Sequence, residues 1–200
     1  MSWTVETLND VIDSKLEALP ESLRAKLARI AQLIEKQGLE AVGAPRVKHV
    51  VSRLWEMRLR GRSGTLYVAV LGRRVVIVRV LVKKLDKTPR GEKNRLKDGG
   101  VAMARVVDMH KTWMNEPKYR KAYAALEEEF ALASVVMDLR TRAGLTQEEL
   151  ARKMGTTQPI IARLESGRWH PSIRTLERLA EATGARLLIG FERVDTRPSG

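Results

Sequence analysis

The sequence predicts an α+β fold in which N-terminal helices pack on a small antiparallel sheet and an all-α unit follows. Three stretches of the chain support this order. Apolar residues in 9–37 recur every three or four positions, which is the spacing of one buried helix face. Residues 54–60 alternate between apolar and polar, as half-buried strands do, and residues 66–70 and 75–82 are apolar stretches that suit two strands around a turn. Residues 139–184 return to the helical period in short segments that end at glycines.

The first elements follow from these patterns. Residues 1–8 are expected to form a short strand. The helical stretch 9–37 divides into two helices at Leu19-Pro20, because proline disfavours a helical conformation in the residue before it. Gly38 ends the second helix, since glycine readily adopts the backbone conformation that follows a helix.

The sheet is predicted from the middle of the chain. Leu54–Arg60 forms one strand, and residues 66–70 and 75–82 form two more around a tight turn at 71–74. A short helix is expected over 88–97, opened by Thr88-Pro89.

Composition excludes several classes of protein. The chain has 200 residues and no cysteine, so it has neither a disulfide framework nor a thiolate metal site. Its three histidines are far apart and lack ligand spacing, and we expect no metal and no cofactor. The start has no basic segment before an apolar one, and the apolar runs are too short to span a bilayer. We therefore expect a cytoplasmic protein without a membrane partner.

The net charge of +13 is concentrated in one part of the chain. Residues 41–97 contain sixteen Lys and Arg against only Glu56, Asp86 and Glu92, so this segment carries the whole excess. Such a basic field attracts polyanions, which favours nucleic acid as the partner. A solvated basic surface, or a patch that meets an acidic protein, remains the alternative.

Domain boundaries follow from composition. Asp98-Gly99-Gly100 predicts a linker over 98–102, after a basic domain at 1–97. Residues 103–138 are mildly acidic, and they carry an apolar stripe at helical spacing. The stripe consists of Tyr119, Ala122, Tyr123, Leu126 and Phe130. Residues 139–200 form the last predicted domain.

Four short helices with clear end signals predict a helix-turn-helix in the last domain. Thr146 and Glu149 form a capping box at the start of the second helix, and Gly155 makes the turn. Thr156 is expected to cap the third helix, 157–165. Ser172 caps a fourth, which Gly184 ends.

After Gly184, residues 185–191 alternate weakly and are expected to form an edge strand. Such a strand can pair between two copies of the chain, which gives a homodimer with two-fold symmetry.

The same region resembles the Cro/repressor-type (XRE-like) helix-turn-helix family. The resemblance rests on residues 143–151, 154–158 and 162–167. It implies that the third helix enters the major groove of double-stranded operator DNA, with Gln147 holding a phosphate. The DNA-binding residues transferred by position are Gln147, Thr156, Thr157, Gln158 and Arg163. Pro159 departs from the family, where small polar residues are usual, and a helical bundle that binds only protein is the alternative.

The basic domain resembles the phage-derived HigB-like branch of the RelE toxin superfamily. The resemblance covers 1–97 and rests on Val47-Lys48-His49-Val50, Leu54-Trp55-Glu56-Met57-Arg58, residues 72–76, residues 82–84 and Lys87-Thr88-Pro89. Residues 103–138 in turn resemble the start of the partner HigA-like antitoxin. The chain therefore resembles a toxin and its antitoxin joined into one polypeptide.

That resemblance implies metal-independent cleavage of messenger RNA, usually on the ribosome. The reaction needs a base for the ribose 2′-hydroxyl and cations that stabilise the phosphorane. The candidate catalytic residues are Lys48, His49, Arg58, Lys83, Lys84 and Lys87. Each of these residues also has an alternative to a catalytic role. It can lie on a solvated sheet edge or contact the RNA backbone without chemistry, and His49 can form a hydrogen bond in the core.

One departure bears on catalysis. Relatives carry several more residues, including an arginine, between Gly61-Arg62-Ser63-Gly64 and the aromatic strand, whereas here Thr65 follows at once. In relatives that arginine clamps the phosphate, and Arg62 is the candidate to replace it here, although a loop arginine is held less firmly than one on a strand. Two functions therefore stay open, namely an mRNA endonuclease neutralised by an autorepressing antitoxin half, and a DNA-binding regulator whose toxin-like domain is inactive.

Complementary charge predicts that 103–138 packs on the basic sheet and screens Arg58 and Lys83. The contact residues are expected to be Tyr119, Tyr123, Leu126 and Phe130. The pairing can lie within one chain or between two.

Overall fold

The computed structural model describes residues 2–60, 64–82 and 104–190. Within them the chain is a mixed α+β structure, which confirms the predicted fold class. The first half contains β1 (Thr4–Thr7), α1 (Asp10–Glu17), α2 (Glu21–Gln37), α3 (Leu39–Val42), β2 (Val47–Val51), β3 (Leu54–Arg60), β4 (Gly64–Leu71) and β5 (Arg74–Val82). The second half contains α4 (Val106–Trp113), α5 (Pro117–Ala124), α6 (Glu127–Arg142), α7 (Gln147–Lys153), α8 (Gln158–Glu165) and α9 (Ile173–Thr183).

The first strand and the two N-terminal helices are as predicted. The Asn9 side chain accepts a hydrogen bond from the Ile12 backbone N–H at 3.1 Å and thereby caps α1. Pro20 stands directly before α2, so the helices divide at the predicted place.

The five strands form one sheet in the order β1-β5-β4-β3-β2. Strand β1 pairs in parallel with β5, and the other three pairs are antiparallel. The sequence predicted β3 from its alternation and β4 and β5 from two apolar stretches around a turn. It did not predict β2 or α3, because β2 is an edge strand with four of its five residues exposed and α3 is a single turn.

One hydrophobic core extends across the predicted domain boundary. Helix α2 lies on the sheet, and its buried residues are spread around almost its whole circumference. On one side Leu27 and Ile34 share a core with Met57 of the sheet, and the same core includes Trp113 and Tyr119 from α4 and α5. The helices of residues 106–137 therefore complete the core of the first half.

A second, smaller core belongs to the last four helices. Leu150, Ile161, Leu164 and Leu179 form its centre. Helix α6 serves both cores, because Met137 is buried in the first and the adjacent Val136 in the second. The boundary that the sequence suggested at 138/139 thus falls inside a continuous helix.

Two details of the last domain are corrected. Helix α8 begins one residue later than expected, with Thr157 rather than Thr156 as its N-cap residue. Residues 185–190 form no strand, since an edge strand needs a neighbour for its hydrogen bonds and none of the described strands lies beside them. The helix expected over 88–97 lies outside the described residues.

Candidate nucleic-acid interface

Local sequence places α7 and α8 as a helix-turn-helix. The Thr146 hydroxyl accepts from the Glu149 backbone N–H at 3.2 Å, and the Glu149 carboxylate accepts from the Thr146 N–H at 2.7 Å. This capping box fixes the start of α7 and lowers the pKa of Glu149, chiefly through the bond from the Thr146 backbone. Gly155, with φ of 57°, makes the turn.

Two predicted DNA-contact residues are joined by a hydrogen bond. The Gln158 side chain donates to Oε1 of Gln147 at 2.7 Å. Nε2 of Gln147 in turn donates to the Glu165 carboxylate at 2.6 Å and to the Ala44 carbonyl at 3.0 Å. Gln147 therefore positions the Gln158 side chain at the start of α8. Both hydrogens of the Gln147 side-chain amide are donated, one to Glu165 and one to Ala44.

The other predicted contact residues lie along the open side of α8. Thr157 and Arg163 are exposed, and Thr156 is half-buried. Between them Pro159 and Ile160 are exposed as well, so this side of the helix presents both polar and apolar groups. The Arg163 guanidinium lies 5.8 Å from the centre of the Trp169 ring.

A buried ion pair connects α8 to α6. Glu165 is fully buried, and its carboxylate accepts from Nε of Arg140 at 2.5 Å. Arg140 also donates to the carbonyls of Leu145 and Ala41, so its charge is well satisfied. Because both partners are desolvated, this pair fixes how α8 sits on α6.

The open face of the sheet carries a row of polar side chains that sequence reasoning largely missed. Strand register aligns Lys48 with Glu56, Glu56 with Tyr67, and Tyr67 with Arg79. These four residues, which we term the cross-strand row, lie on the face away from α2, because the neighbouring pair Val47 and Met57 is buried in the core. Only the register reveals this alignment.

Arg58 joins the cross-strand row. Its Nε donates to the Glu56 carboxylate at 2.7 Å. His49 does not belong to the row, because neighbouring residues of a strand lie on opposite faces and His49 follows Lys48. It pairs with Trp55 on the other face of the edge strand β2. There its Nε2 lies 2.8 Å from the Ser52 carbonyl. Of the candidate catalytic residues, the structure brings together Lys48 and Arg58. Arg62, Lys83, Lys84 and Lys87 lie outside the described residues.

Residues 103–138 were expected to pack on the basic sheet and to screen Arg58 and Lys83. That expectation is wrong for Arg58, which pairs with Glu56 of its own strand, and Lys83 lies outside the described residues. Helices α4, α5 and α6, which we term the docking helices, pack mainly on α2, and α4 also contacts the edge strand β1. The reason is that α2 carries a row of cations that meets their carboxylates. The ion pairs are Arg24–Glu116 at 2.6 Å, Lys26–Glu129 at 2.8 Å, Lys36–Asp138 at 3.2 Å and Arg29–Glu127.

The aromatic stripe of the docking helices lies against α2. Tyr119 and Phe130 are buried, Tyr123 and Leu126 are half-buried, and all four border the first core. The Tyr123 hydroxyl donates to Gln32 of α2 at 2.7 Å. The sequence did not single out Trp113, which is fully buried and donates to the Glu17 carboxylate at 3.1 Å.

His110 completes this aromatic group. Its Nδ1 lies 2.8 Å from the Tyr119 hydroxyl. Burial lowers the pKa of His110, and the nearby Arg29 guanidinium lowers it further. Burial also raises the pKa of the Tyr119 hydroxyl. Both side chains are therefore mainly neutral at pH 7, and they share one hydrogen bond.

Residues 41–46, which we term the 41–46 segment, connect the first half to the helix-turn-helix. Arg46 is almost fully buried and donates to the carbonyls of Glu165 and Ser166 at 2.5 and 2.9 Å. These carbonyls lie at the C-terminal end of α8, where a cation is favourable. Burial lowers the pKa of Arg46 to about 10, so it stays charged at neutral pH.

Comparison with known proteins agrees with this geometry. The family described as "Helix-turn-helix" matches residues 136–188. An uncharacterized HTH-type transcriptional regulator of Methanothermobacter thermautotrophicus is 42% identical over 53 residues, which are 26% of this chain and 77% of that protein. The chain belongs to the helix-turn-helix transcriptional regulators. A second such regulator, y4dJ of Sinorhizobium fredii, is 39% identical over 62 residues, which are 31% of this chain and 80% of that protein.

The first half of this regulator has its own match. The family described as "Phage derived protein Gp49-like" covers residues 14–98, and we refer to this part as the Gp49-like domain. Antitoxin HigA1 of Mycobacterium tuberculosis is 32% identical over 77 residues, which are 38% of this chain and 52% of that protein. The predicted pairing of a HigB-like domain with a HigA-like helix-turn-helix is thus confirmed. No solved structure matches.

Among the described residues, no helix is both long and apolar enough to cross a membrane, and no three His, Cys, Asp or Glu side chains cluster as metal ligands would.

Proposed function

We propose that this regulator represses its own operon by placing α8 in the major groove of a palindromic operator, and that its Gp49-like domain is an RNA-binding toxin domain held by the docking helices. The observation that carries the proposal is α8 itself, at whose start Gln147 fixes the Gln158 side chain and along which Thr157 and Arg163 are exposed. A glutamine amide pairs with adenine, and a guanidinium pairs with guanine.

A two-fold operator needs two copies of the chain, so we infer a homodimer on DNA. Leu188 and Ile189, which follow α9, are strongly exposed in the single chain. Their exposure supports the idea that this C-terminal stretch pairs with a second copy.

Removing one base contact is expected to weaken specific binding. Gln158→Ala and Arg163→Ala should each cost about 1–3 kcal/mol on the operator and relax sequence preference, because both side chains read base edges. Fluorescence anisotropy with an operator duplex and a scrambled duplex measures both effects.

The matched control is Arg152→Ala, which removes an exposed positive charge from α7. It should weaken binding to both duplexes by a similar, smaller factor. If Arg163→Ala behaves like Arg152→Ala on both duplexes, α8 does not read bases.

For the Gp49-like domain, the cross-strand row supports binding of an RNA backbone. Lys48, Arg79 and the neighbouring Arg58 place three cations on one face of the sheet. A phosphorane formed by attack of a 2′-hydroxyl needs such charges held close by. Strand β3 ends at Arg60 and β4 begins at Gly64, so only residues 61–63 are left to supply a phosphate clamp between them.

The docking helices leave the described part of this face open, because they pack on α2 and, through α4, on the edge strand β1, whereas the cross-strand row lies on the face away from α2. Lys48 and Arg79 are exposed in their presence. We therefore propose that they neutralise the domain by their bulk, which hinders entry into the ribosome, rather than by covering the cations.

We expect residues 1–102, expressed alone, to bind ribosomes or mRNA but to cleave poorly. The positive charge of the fragment is sufficient for binding RNA, whereas a misplaced phosphate-clamping arginine lowers the rate of cleavage on the order of a hundredfold. Growth arrest and mRNA cleavage should be compared for this fragment with and without an arginine-bearing insertion between Arg60 and Gly64.

Three outcomes separate the possibilities. Strong cleavage only with the insertion supports a weakened endonuclease. Strong toxicity of the unmodified fragment would contradict the prediction and make Arg62 or another cation the clamp. No toxicity in either form, from a fragment whose circular dichroism spectrum shows that it is folded, favours a regulator whose toxin-like domain is catalytically inactive.

A further inference from the structure

The 41–46 segment of the Gp49-like domain occupies a side chain that operator binding needs. Nε2 of Gln147 carries two hydrogens, and both are donated, one to Glu165 and one to the Ala44 carbonyl. An amide nitrogen has no further hydrogen for a DNA phosphate. The Gln147 side chain can therefore donate to a phosphate only after it releases one of these two acceptors.

Glu165 is the acceptor that stays. It is fully buried and shares its carboxylate with Arg140, so losing the Gln147 bond leaves a buried charge less satisfied. Ala44 is exposed, and its carbonyl has access to water once the segment moves. The bond between Gln147 and Ala44 is thus the one that a phosphate displaces.

Arg46 anchors the segment in this position together with Arg140, which donates to the Ala41 carbonyl at 2.7 Å. The Arg46 guanidinium donates to two carbonyls at the end of α8 and lies 4.6 Å from the centre of the Phe130 ring. Its Nε has no hydrogen-bond partner, so the anchor is not fully satisfied.

We propose that the 41–46 segment competes with operator phosphate for Gln147, so that the Gp49-like domain weakens DNA binding by its own chain. This inference rests on the proposed DNA-binding function, since it requires DNA at Gln147. Coupling is reciprocal, and bound DNA must therefore weaken the hold on the segment to the same extent.

The test uses the full chain and the variant Arg46→Met, which removes the donors but keeps an apolar stem against Phe130. We expect this variant to bind an operator duplex about tenfold more tightly, in the usual range of allosteric coupling. The control is Arg53→Met, an exposed arginine in the same domain that removes equal charge. It should show no gain.

The duplexes separate this inference from the proposed function. The contact is to phosphate, so the gain of Arg46→Met over Arg53→Met should also appear on a scrambled duplex. If the wild-type chain binds both duplexes with equal affinity, the proposed sequence-specific function is wrong. The gain in affinity of Arg46→Met over Arg53→Met then still tests the competition. Equal or weaker binding by Arg46→Met than by Arg53→Met on both duplexes would overturn the competition itself.

Hydrogen exchange of the wild-type chain gives a test that needs no variant. We expect faster amide exchange in residues 41–47 when the operator duplex is saturating, while α8 becomes protected. The Val47 N–H is a suitable reporter, because it donates to the Gly43 carbonyl at 2.9 Å. Unchanged or slower exchange in this stretch on saturated DNA would overturn the proposal, even if Arg46→Met does not fold.

Discussion

Gly167→Ala is expected to lower the free energy of unfolding by about 3–5 kcal/mol, from combined backbone strain and overpacking. Gly167 follows α8 and has φ of 70°, a region that alanine adopts only with strain. A Cβ on Gly167 would lie 1.7 Å from the Glu129 carbonyl oxygen and 2.6 Å from its carbon. These are backbone atoms of α6, so neither can move aside without shifting a helix.

The matched control for this change is Gly144→Ala. Gly144 has φ of 67°, and a Cβ there would meet nothing within 4 Å. Its replacement should cost only the left-handed conformation, about 1–2 kcal/mol. Urea unfolding of both variants measures the difference. Equal losses would mean that α6 and the turn after α8 are not in close contact.

Trp113→Ala is expected to lower the free energy of unfolding by about 3–5 kcal/mol, as deletion of a buried tryptophan usually does. Trp113 is fully buried between α4 and the first half of the chain. The indole N–H is bonded to Glu17, and the Arg24 guanidinium lies 5.3 Å from the ring centre. The change therefore leaves both a cavity and two polar groups that lose a contact.

Two variants set the scale for Trp113. Trp113→Phe keeps most of the ring and loses the N–H donor, so it should cost less than Trp113→Ala. Leu71→Ala, at an exposed apolar position, should stay within about 0.5 kcal/mol of wild type. Limited proteolysis should also cut the docking helices of Trp113→Ala sooner. Wild-type stability and protection in Trp113→Ala would contradict a shared core.

The predicted elements depended on local signals that the fold preserves. The alternation over 54–60 predicted a strand, and Met57 and Leu59 of that strand are buried. The apolar stretch over 75–82 predicted another, which buries Val75, Val76 and Ile77. Ser172 was expected to cap a helix, and its hydroxyl accepts from the Thr175 N–H at 3.2 Å. Where such a signal was weak, as in β2 with its exposed residues, the sequence did not predict the element.

The site was less predictable because its geometry depends on register and burial. Counting charge over 41–97 treated Arg46 as part of a basic surface, whereas it is buried against α8. The same count passed over α2, whose Arg24 and Lys26 bind the carboxylates of the docking helices. Tyr67 and Arg79 were not recognised as neighbours of Lys48, because only cross-strand pairing brings them together.

Footprinting of the purified full chain on the DNA upstream of its own coding sequence tests the proposed repressor most directly. We predict one protected palindromic site whose affinity exceeds that for scrambled DNA by at least about a thousandfold at physiological salt, the lower end of the range for specific DNA-binding proteins. The preference should decrease when Gln158 is replaced by alanine. Equal affinity for upstream and scrambled DNA, or a footprint that Gln158→Ala leaves unchanged, would contradict operator recognition by α8.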